Sequence, residues 1–265
     1  MSRALVTGCS TGIGRATAIE LTKRGFEVVA TARRPQTIED LDVAATLALD
    51  VDSDASVAAA VAAAGEIDVL VNNAGFGVIG PVESVPLSEV KRMFETNVFG
   101  VIRMIQAVLP QMRARESGTI VNVTSLAGRV APPFDGFYSA TKFGVEGLSE
   151  ALHYEVGHFG IRVVLIEPGV FETNFGANEV MHGREGGPYD ELVKQWDASR
   201  EKLPANDASA GPETVAIAIA EAIEAKEHTL RHPVGADAEL VTSVRAQLDD
   251  ATFESTMRET LGLTW

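Results

Sequence analysis

The sequence predicts a doubly wound, mostly parallel α/β sheet of about seven strands with helices on both faces. Two observations carry this. Short, nearly continuous apolar runs alternate with longer stretches of helical periodicity, and a glycine-rich turn separates the first run from the first helix. Strands without strict apolar/polar alternation are covered on both faces, and strand–helix alternation winds such sheets with right-handed crossovers. The strand candidates are Ala4–Thr7, Phe26–Thr31, Thr46–Leu49, Asp68–Asn72, Thr119–Thr124, Arg162–Glu167 and, with a weaker pattern, Thr229–Pro233. Helical patterns cover about Ile13–Arg24, Ser53–Ala64, Ser88–Arg115, Tyr138–Phe159 and Pro212–Glu224. On the fourth of these, Val145, Leu148, Leu152, Val156 and Phe159 recur at steps of three and four and make one apolar stripe. Val98, Val101, Ile105, Val108 and Met112 do the same after Asn97.

Composition narrows the function. A chain of 265 residues with 46% hydrophobic and 22% charged residues buries a sizeable core, so disorder is excluded. There is no internal repeat and no Ser/Pro-rich linker, which predicts one domain over residues 1–265. The single cysteine, Cys9, forms no intrachain disulfide and fits a reducing, cytoplasmic compartment. Only Ala4 to Val6 follow the opening Met-Ser-Arg as an apolar run, so no secretory leader is expected. No apolar run nears the ~20 residues of a membrane span. A net charge of −15 argues against nucleic acid as a partner. Residues 1–34 oppose the overall balance, with six basic side chains against two acidic ones.

The glycine-rich turn reads Thr7-Gly8-Cys9-Ser10-Thr11-Gly12-Ile13-Gly14. Glycines there allow a tight turn and let main-chain N–H groups, at the positive end of a helix, approach a pyrophosphate. A plain loop reads the same way in isolation; the strand before and the helix after are what a dinucleotide site requires. No Gly-Lys-Ser/Thr follows, so a nucleoside triphosphatase loop is not supported. Dinucleotide sites that accept the adenosine ribose hydroxyls place an acid near the end of the second strand. Here that strand ends Thr31-Ala32-Arg33-Arg34 without one. Guanidinium at Arg33, with Arg34 beside it, suits a 2′-phosphate and favours NADP over NAD.

Further along stand Asn72-Asn73-Ala74-Gly75, Asn97 within Thr96-Asn97-Val98, Ser125 after the fifth strand, Tyr138-Ser139-Ala140-Thr141-Lys142, and Pro168-Gly169 followed by Thr173. In this order and spacing, over residues 4–173, the chain resembles the short-chain dehydrogenase/reductase superfamily, whose fold is the Rossmann type. The chemistry follows from the residues themselves. Interconverting an alcohol and a ketone needs a hydride partner, a proton shuttle at oxygen and a group that orients that oxygen. Tyr138 and Lys142 are one helical turn apart on one face, and a nearby ammonium lowers a phenol from its ordinary pKa of ~10. Ser125, at the carboxyl end of a strand, is placed to hydrogen-bond the substrate oxygen. The resemblance implies that Lys142 also holds the nicotinamide ribose and that Asn97 links it to solvent through a water.

The same resemblance assigns Asp50 and Val51 to the adenine. It places Asn73, Ala74 and Gly75 along the adenosine ribose, or as stitching between central strands. It sets Pro168, Gly169 and Val170 beneath the nicotinamide, and Thr173 on its carboxamide. The five histidines and Cys9 show no metal-ligand spacing, so no metal is expected. Residues 171–211 break the strand–helix rhythm with Gly, Pro and scattered aromatics and read as a substrate lid. The run Glu167–Phe175 looks like the hydroxysteroid- and retinol-type branch, which implies a hydrophobic alcohol or ketone lined by Phe134, Phe171, Phe175 and Trp196. A homodimer or homotetramer through the two long helices is the family's habit. Two other functions stay open: an NADP-binding regulator without turnover, and an epimerase or dehydratase on the same sheet.

Overall fold

The computed structural model describes residues 1–171, 180–183, 186–199 and 211–264. Its elements are β1 (Arg3–Val6), α1 (Gly12–Lys23), β2 (Glu27–Ala32), β3 (Ala45–Ala48), α2 (Asp54–Ala64), β4 (Val69–Asn72), β5 (Val78–Ile79) and α3 (Leu87–Phe94). These are followed by α4 (Gly100–Ala114), β6 (Gly118–Val123), α5 (Gly136–Val156), β7 (Ile161–Pro168), β8 (Val180–Met181) and α6 (Asp190–Ser199). The chain closes with α7 (Pro212–Glu224), β9 (Arg231–Val234), α8 (Ala236–Gln247) and α9 (Asp250–Leu261).

Seven strands form one parallel sheet in the order β3-β2-β1-β4-β6-β7-β9. Ala4, Leu5 and Val6 of β1 have no exposure at all, and β4 and β6 are nearly as deep. That explains their unbroken apolar runs. One face is covered by α1 and α7, through Leu21, Val215, Ile219 and Ile223. The other face is covered by α2, α4 and α5, through Val57, Met104, Val108, Val145 and Leu152. The order reverses between β1 and β4, and the carboxyl ends on either side of that point carry the candidate site residues. A buried polar chain locks the two central strands to α5. Asn72 Nδ2 donates to Asn122 Oδ1 at 2.8 Å, and Asn122 Nδ2 to Ser149 Oγ at 2.8 Å.

The fold departs from the sequence reading at several points, among them the helices α6, α8 and α9, which the sequence pattern does not mark. The helix expected over Ser88–Arg115 is interrupted by a π-helical segment, Glu95–Phe99, between α3 and α4. Asn97 sits in it, 2% exposed. Periodicity continues on both sides of the segment, so side-chain spacing gives no warning of the wider turn. A second, two-stranded parallel sheet pairs β5 with β8, which brings the start of the expected lid against the segment after β4. The seventh strand is Arg231–Val234, displaced from the expected Thr229–Pro233; a proline is tolerated there because β9 is an edge. Among the described residues no helix is long and apolar enough to cross a membrane.

Candidate active site

The glycine turn is built by close approach. Gly8 has φ +74°, and a Cβ on it would lie 2.9 Å from Ala74 Cα. A Cβ on Gly14 would lie 2.4 Å from Gly8 O and from Asn73 Nδ2. No side chain caps α1, and its first turn carries no acid, so its amino end is a free positive pole. Ser10 and Thr11 are exposed at that end, with Gly12 and Ile13 behind them. A narrow, side-chain-free cradle of main-chain N–H groups fits a pyrophosphate, so the residues present suit a dinucleotide.

Asn73 stitches β1 to β4. Its Nδ2 donates to Thr7 O at 2.9 Å and reaches Gly8 O at 3.3 Å, while Thr7 Oγ1 accepts from the N–H groups of Asn73 and Ala74. Gly75 packs beside Asn97. Val51 is buried at the end of β3, and Asp50 Oδ1 accepts from Asp52 N at 3.2 Å. Arg33 and Arg34 are both exposed just past β2, with no ion pair among the described residues.

The four residues of the proposed chemistry come from β6, α5 and the π segment. Lys142 is buried, and its Nζ donates to Val123 O at 3.0 Å. It stands 5.6 Å from the centroid of the half-buried Tyr138 ring. Desolvation pulls the ammonium down to about 8, partly opposed by Glu146 one turn further on. Thr141 joins the group: its hydroxyl donates to Tyr138 O at 2.7 Å and accepts from Asn97 Nδ2 at 3.2 Å. Asn97 also clasps the Phe76 peptide, donating to its O at 2.9 Å and accepting its N–H at 3.1 Å. Ser125 opens a short 3-10 turn, where its Oγ accepts from Ala127 N at 3.0 Å.

Sequence reasoning missed several neighbours. Glu146, also buried, accepts from Thr124 Oγ1 at 2.7 Å and from Arg231 Nε at 3.0 Å. Glu167, the last acid before Pro168, lies within ion-pair reach of Arg129 and Arg231. Burial first, and the nearby Glu146 next, push its carboxyl up to about 7. The only sequence sign was an acid at the end of an apolar strand, which is uncommon in a buried run. Tyr138, like Phe76, Phe94 and Phe137, is partly buried against one small apolar cluster of Val78, Val85, Val90 and Met93. Phe134 is buried nearby in sequence with φ +70°, and its O accepts from Gly80 N at 2.9 Å. Phe171, expected in the pocket, instead packs on the core under α1 and α7. Trp196 is half-buried on α6, and Pro168, Gly169 and Val170 form the turn leaving β7. Thr173 and Phe175 lie outside the described residues.

A family model described as short chain dehydrogenase matches residues 2–182. The chain belongs to that family. A 3-ketodihydrosphingosine reductase of Bacteroides thetaiotaomicron is 44% identical over 178 residues, covering 66% of this chain and 65% of its own. Human retinol dehydrogenase 8 is 42% identical over 184 residues, 64% of this chain and 59% of its own, which bears out the retinol-type resemblance. The chain thus spans less than two thirds of the length of these two relatives. Among solved structures, a short-chain dehydrogenase from Streptomyces avermitilis superposes with a TM-score of 0.82 at 37% identity, over 98% of this chain and all of that one. A 3-ketoacyl-(acyl-carrier-protein) reductase from Brucella melitensis, complexed with NADH, gives 0.75 at 28% identity, over 88% of this chain and 96% of that one.

The Lys142 geometry fixes a pH dependence. A lysine held below its ordinary pKa of 10.5 costs folding free energy while it is charged, and that cost is relieved as pH rises from about 8 through 10.5. Urea denaturation of wild type and Lys142→Met should therefore show wild type gaining on the variant by about 2–3 kcal/mol across that window. Parallel pH profiles would show that the ammonium is not desolvated.

Proposed function

We propose that the protein is an NADP-dependent oxidoreductase that interconverts an alcohol and a ketone with a hydrophobic body. The observation that carries this is the buried ammonium of Lys142, 5.6 Å from the Tyr138 ring centroid. A cation stripped of water favours the phenolate far more than a hydrated one does. The cofactor, held by the glycine cradle, Asp50, Val51 and the turn at Pro168–Val170, supplies or accepts the hydride. Tyr138 moves the proton at the substrate oxygen, and Ser125 orients that oxygen by hydrogen bonding. Lys142 holds the shuttle in its reactive state and binds the cofactor ribose. Asn97 keeps the Phe76 and Thr141 contacts in register. Because both its Nδ2 hydrogens are in use, the proposed water link to Lys142 runs through Oδ1 or its main-chain carbonyl.

Preference for NADP rests on Arg33, with Arg34 beside it, where a carboxylate would repel the 2′-phosphate. The hydrophobic substrate is supported by the apolar cluster of Val78, Val85, Val90 and Met93 that Tyr138 shares with Phe76, Phe94 and Phe137, and by the names of the retinol- and sphingoid-type relatives. A regulator that merely senses the cofactor has no use for a desolvated ammonium beside a phenol. The lid assigned to residues 171–211 stays part of this proposal, although 172–179, 184–185 and 200–210 lie outside the described residues. Pairing into a homodimer or homotetramer is proposed through α4 and α5, where Phe143 is 45% exposed and Phe99, beside α4, is 47% exposed.

With NADPH and a panel of hydrophobic ketones, Tyr138→Phe should lower kcat by about 10²–10⁴-fold and leave NADPH affinity intact; near-normal turnover removes the shuttle. Arg33→Ala should raise the KM for NADPH by about tenfold or more without touching NADH. Equal effects on both cofactors, or a wild type that prefers NADH, overturn the phosphate assignment. Light scattering should give twice or four times the chain mass, and a monomer would oppose the helix pairing.

A further inference from the structure

The turn that leaves β7 is held from a part of the chain beyond the residues matched by the family model. Asp237, second residue of α8, is 3% exposed, and its Oδ2 accepts from Val170 N at 2.7 Å. The neighbouring Gly169 N–H donates to Val234 O at 2.9 Å, so residues 234–237 grip both peptides of the turn. The fit is interlocking: a Cβ on Gly169 would lie 1.9 Å from Asp237 Oδ1. That oxygen is buried and has no hydrogen-bond partner among the described residues. A buried, half-satisfied carboxylate costs stability that an apolar residue would not. Its retention at this spot therefore calls for a positional role.

We infer that Asp237 is a positioning residue for the cofactor site, fixing the Gly169–Val170 peptides through the Val170 N–H. This rests on the proposed reading of Pro168–Val170 as the turn beneath the nicotinamide. Asp237 touches neither substrate nor reacting atoms; it acts by holding the turn in one conformation. Losing the acceptor frees the turn, so the cofactor must order it on binding, and affinity falls. Glycine is required at 169 because the carboxylate already fills the space of a Cβ.

The test compares full-length wild type, Asp237→Ala, Asp237→Asn and Gly169→Ala. NADPH binding is measured by calorimetry, and exchange of the Val170 amide is followed in cofactor-free protein. Asp237→Ala should speed Val170 exchange and raise the NADPH dissociation constant by about tenfold, with the melting temperature within a few degrees of wild type. Asp237→Asn keeps a carbonyl acceptor and should stay within about threefold of wild type. Should Asp237→Ala fail to fold, Gly169→Ala displaces the carboxylate from the other side and must produce the same two changes. Unchanged exchange and affinity in these variants overturn the inference, as does an Asn variant as impaired as the Ala one. A wild type that binds neither NADPH nor NADH overturns instead the reading of the crevice, and this inference with it.

Discussion

Burying one ammonium dictates much of the architecture around it. Lys142 is buried away from water and donates to Val123 O, with Glu146 supplying negative charge one turn along α5. For that carbonyl to face α5, β6 must end at Val123 and the chain must turn at once. Thr124 sits at the turn with its hydroxyl 2.7 Å from Glu146 Oε1 and 3.0 Å from Ile166 O, its one hydrogen shared between these two acceptors. The register of β6 against β7 and the roll of α5 on the sheet are thus tied to one charged group. Lower in the same interface, the Asn72–Asn122–Ser149 chain fixes the other degree of freedom, the slide of α5 along the strands.

Charge around the site is arranged as an alternating network. Glu146 and Glu167 are both buried, Arg129 and Arg231 reach both of them, and Glu150 takes the outer side of Arg231. Burial, and after it the nearby Glu146, push the Glu167 carboxyl up to about 7. A carboxyl raised in this way adds stability below its unfolded pKa, and that contribution is lost as pH rises toward 7. Lys142 runs the other way, costing stability until it loses its proton above about 8. Near neutrality neither group is at its stability optimum.

What could be read in the sequence was whatever writes itself locally. The buried strands appear as unbroken apolar runs, and the glycine turn and the Tyr138–Lys142 spacing need only a few adjacent residues to be recognised. Contacts between distant segments left no such trace. The π segment is invisible because Val90 and Met93 before it, and Val101 and Met104 after it, continue an ordinary apolar stripe. β5 and β8 each have two residues, too short for any periodicity to develop. Phe171 looked like a pocket aromatic because it stands at the start of an irregular stretch, yet it packs inward on the core. Asp237 lies beyond the last helix expected from the sequence, and nothing local marks it. Only the tertiary placement of α8 against the end of β7 turns it inward.

The basic amino-terminal segment gains its meaning from what its arginines do. Arg3 pairs with Glu27, Arg15 with Asp40, and Arg24 with both Glu20 and Glu224. Pairs this exposed contribute little to stability, but they neutralise three of the five guanidiniums in the segment. Arg33 and Arg34 remain, exposed and without an ion pair among the described residues, at the carboxyl end of β2. Two cations without an ion pair among the described residues and the uncapped amino end of α1 then stand at the same carboxyl edge of the sheet, on a chain whose net charge is −15. Such a local cluster of positive charge favours anions at that edge. Arg15 would be the natural competitor for a phosphate role, since it lies on α1 beside the loop after β2. Its pairing with Asp40 already commits its charge, which leaves Arg33 and Arg34 as the cations there without an ion pair among the described residues.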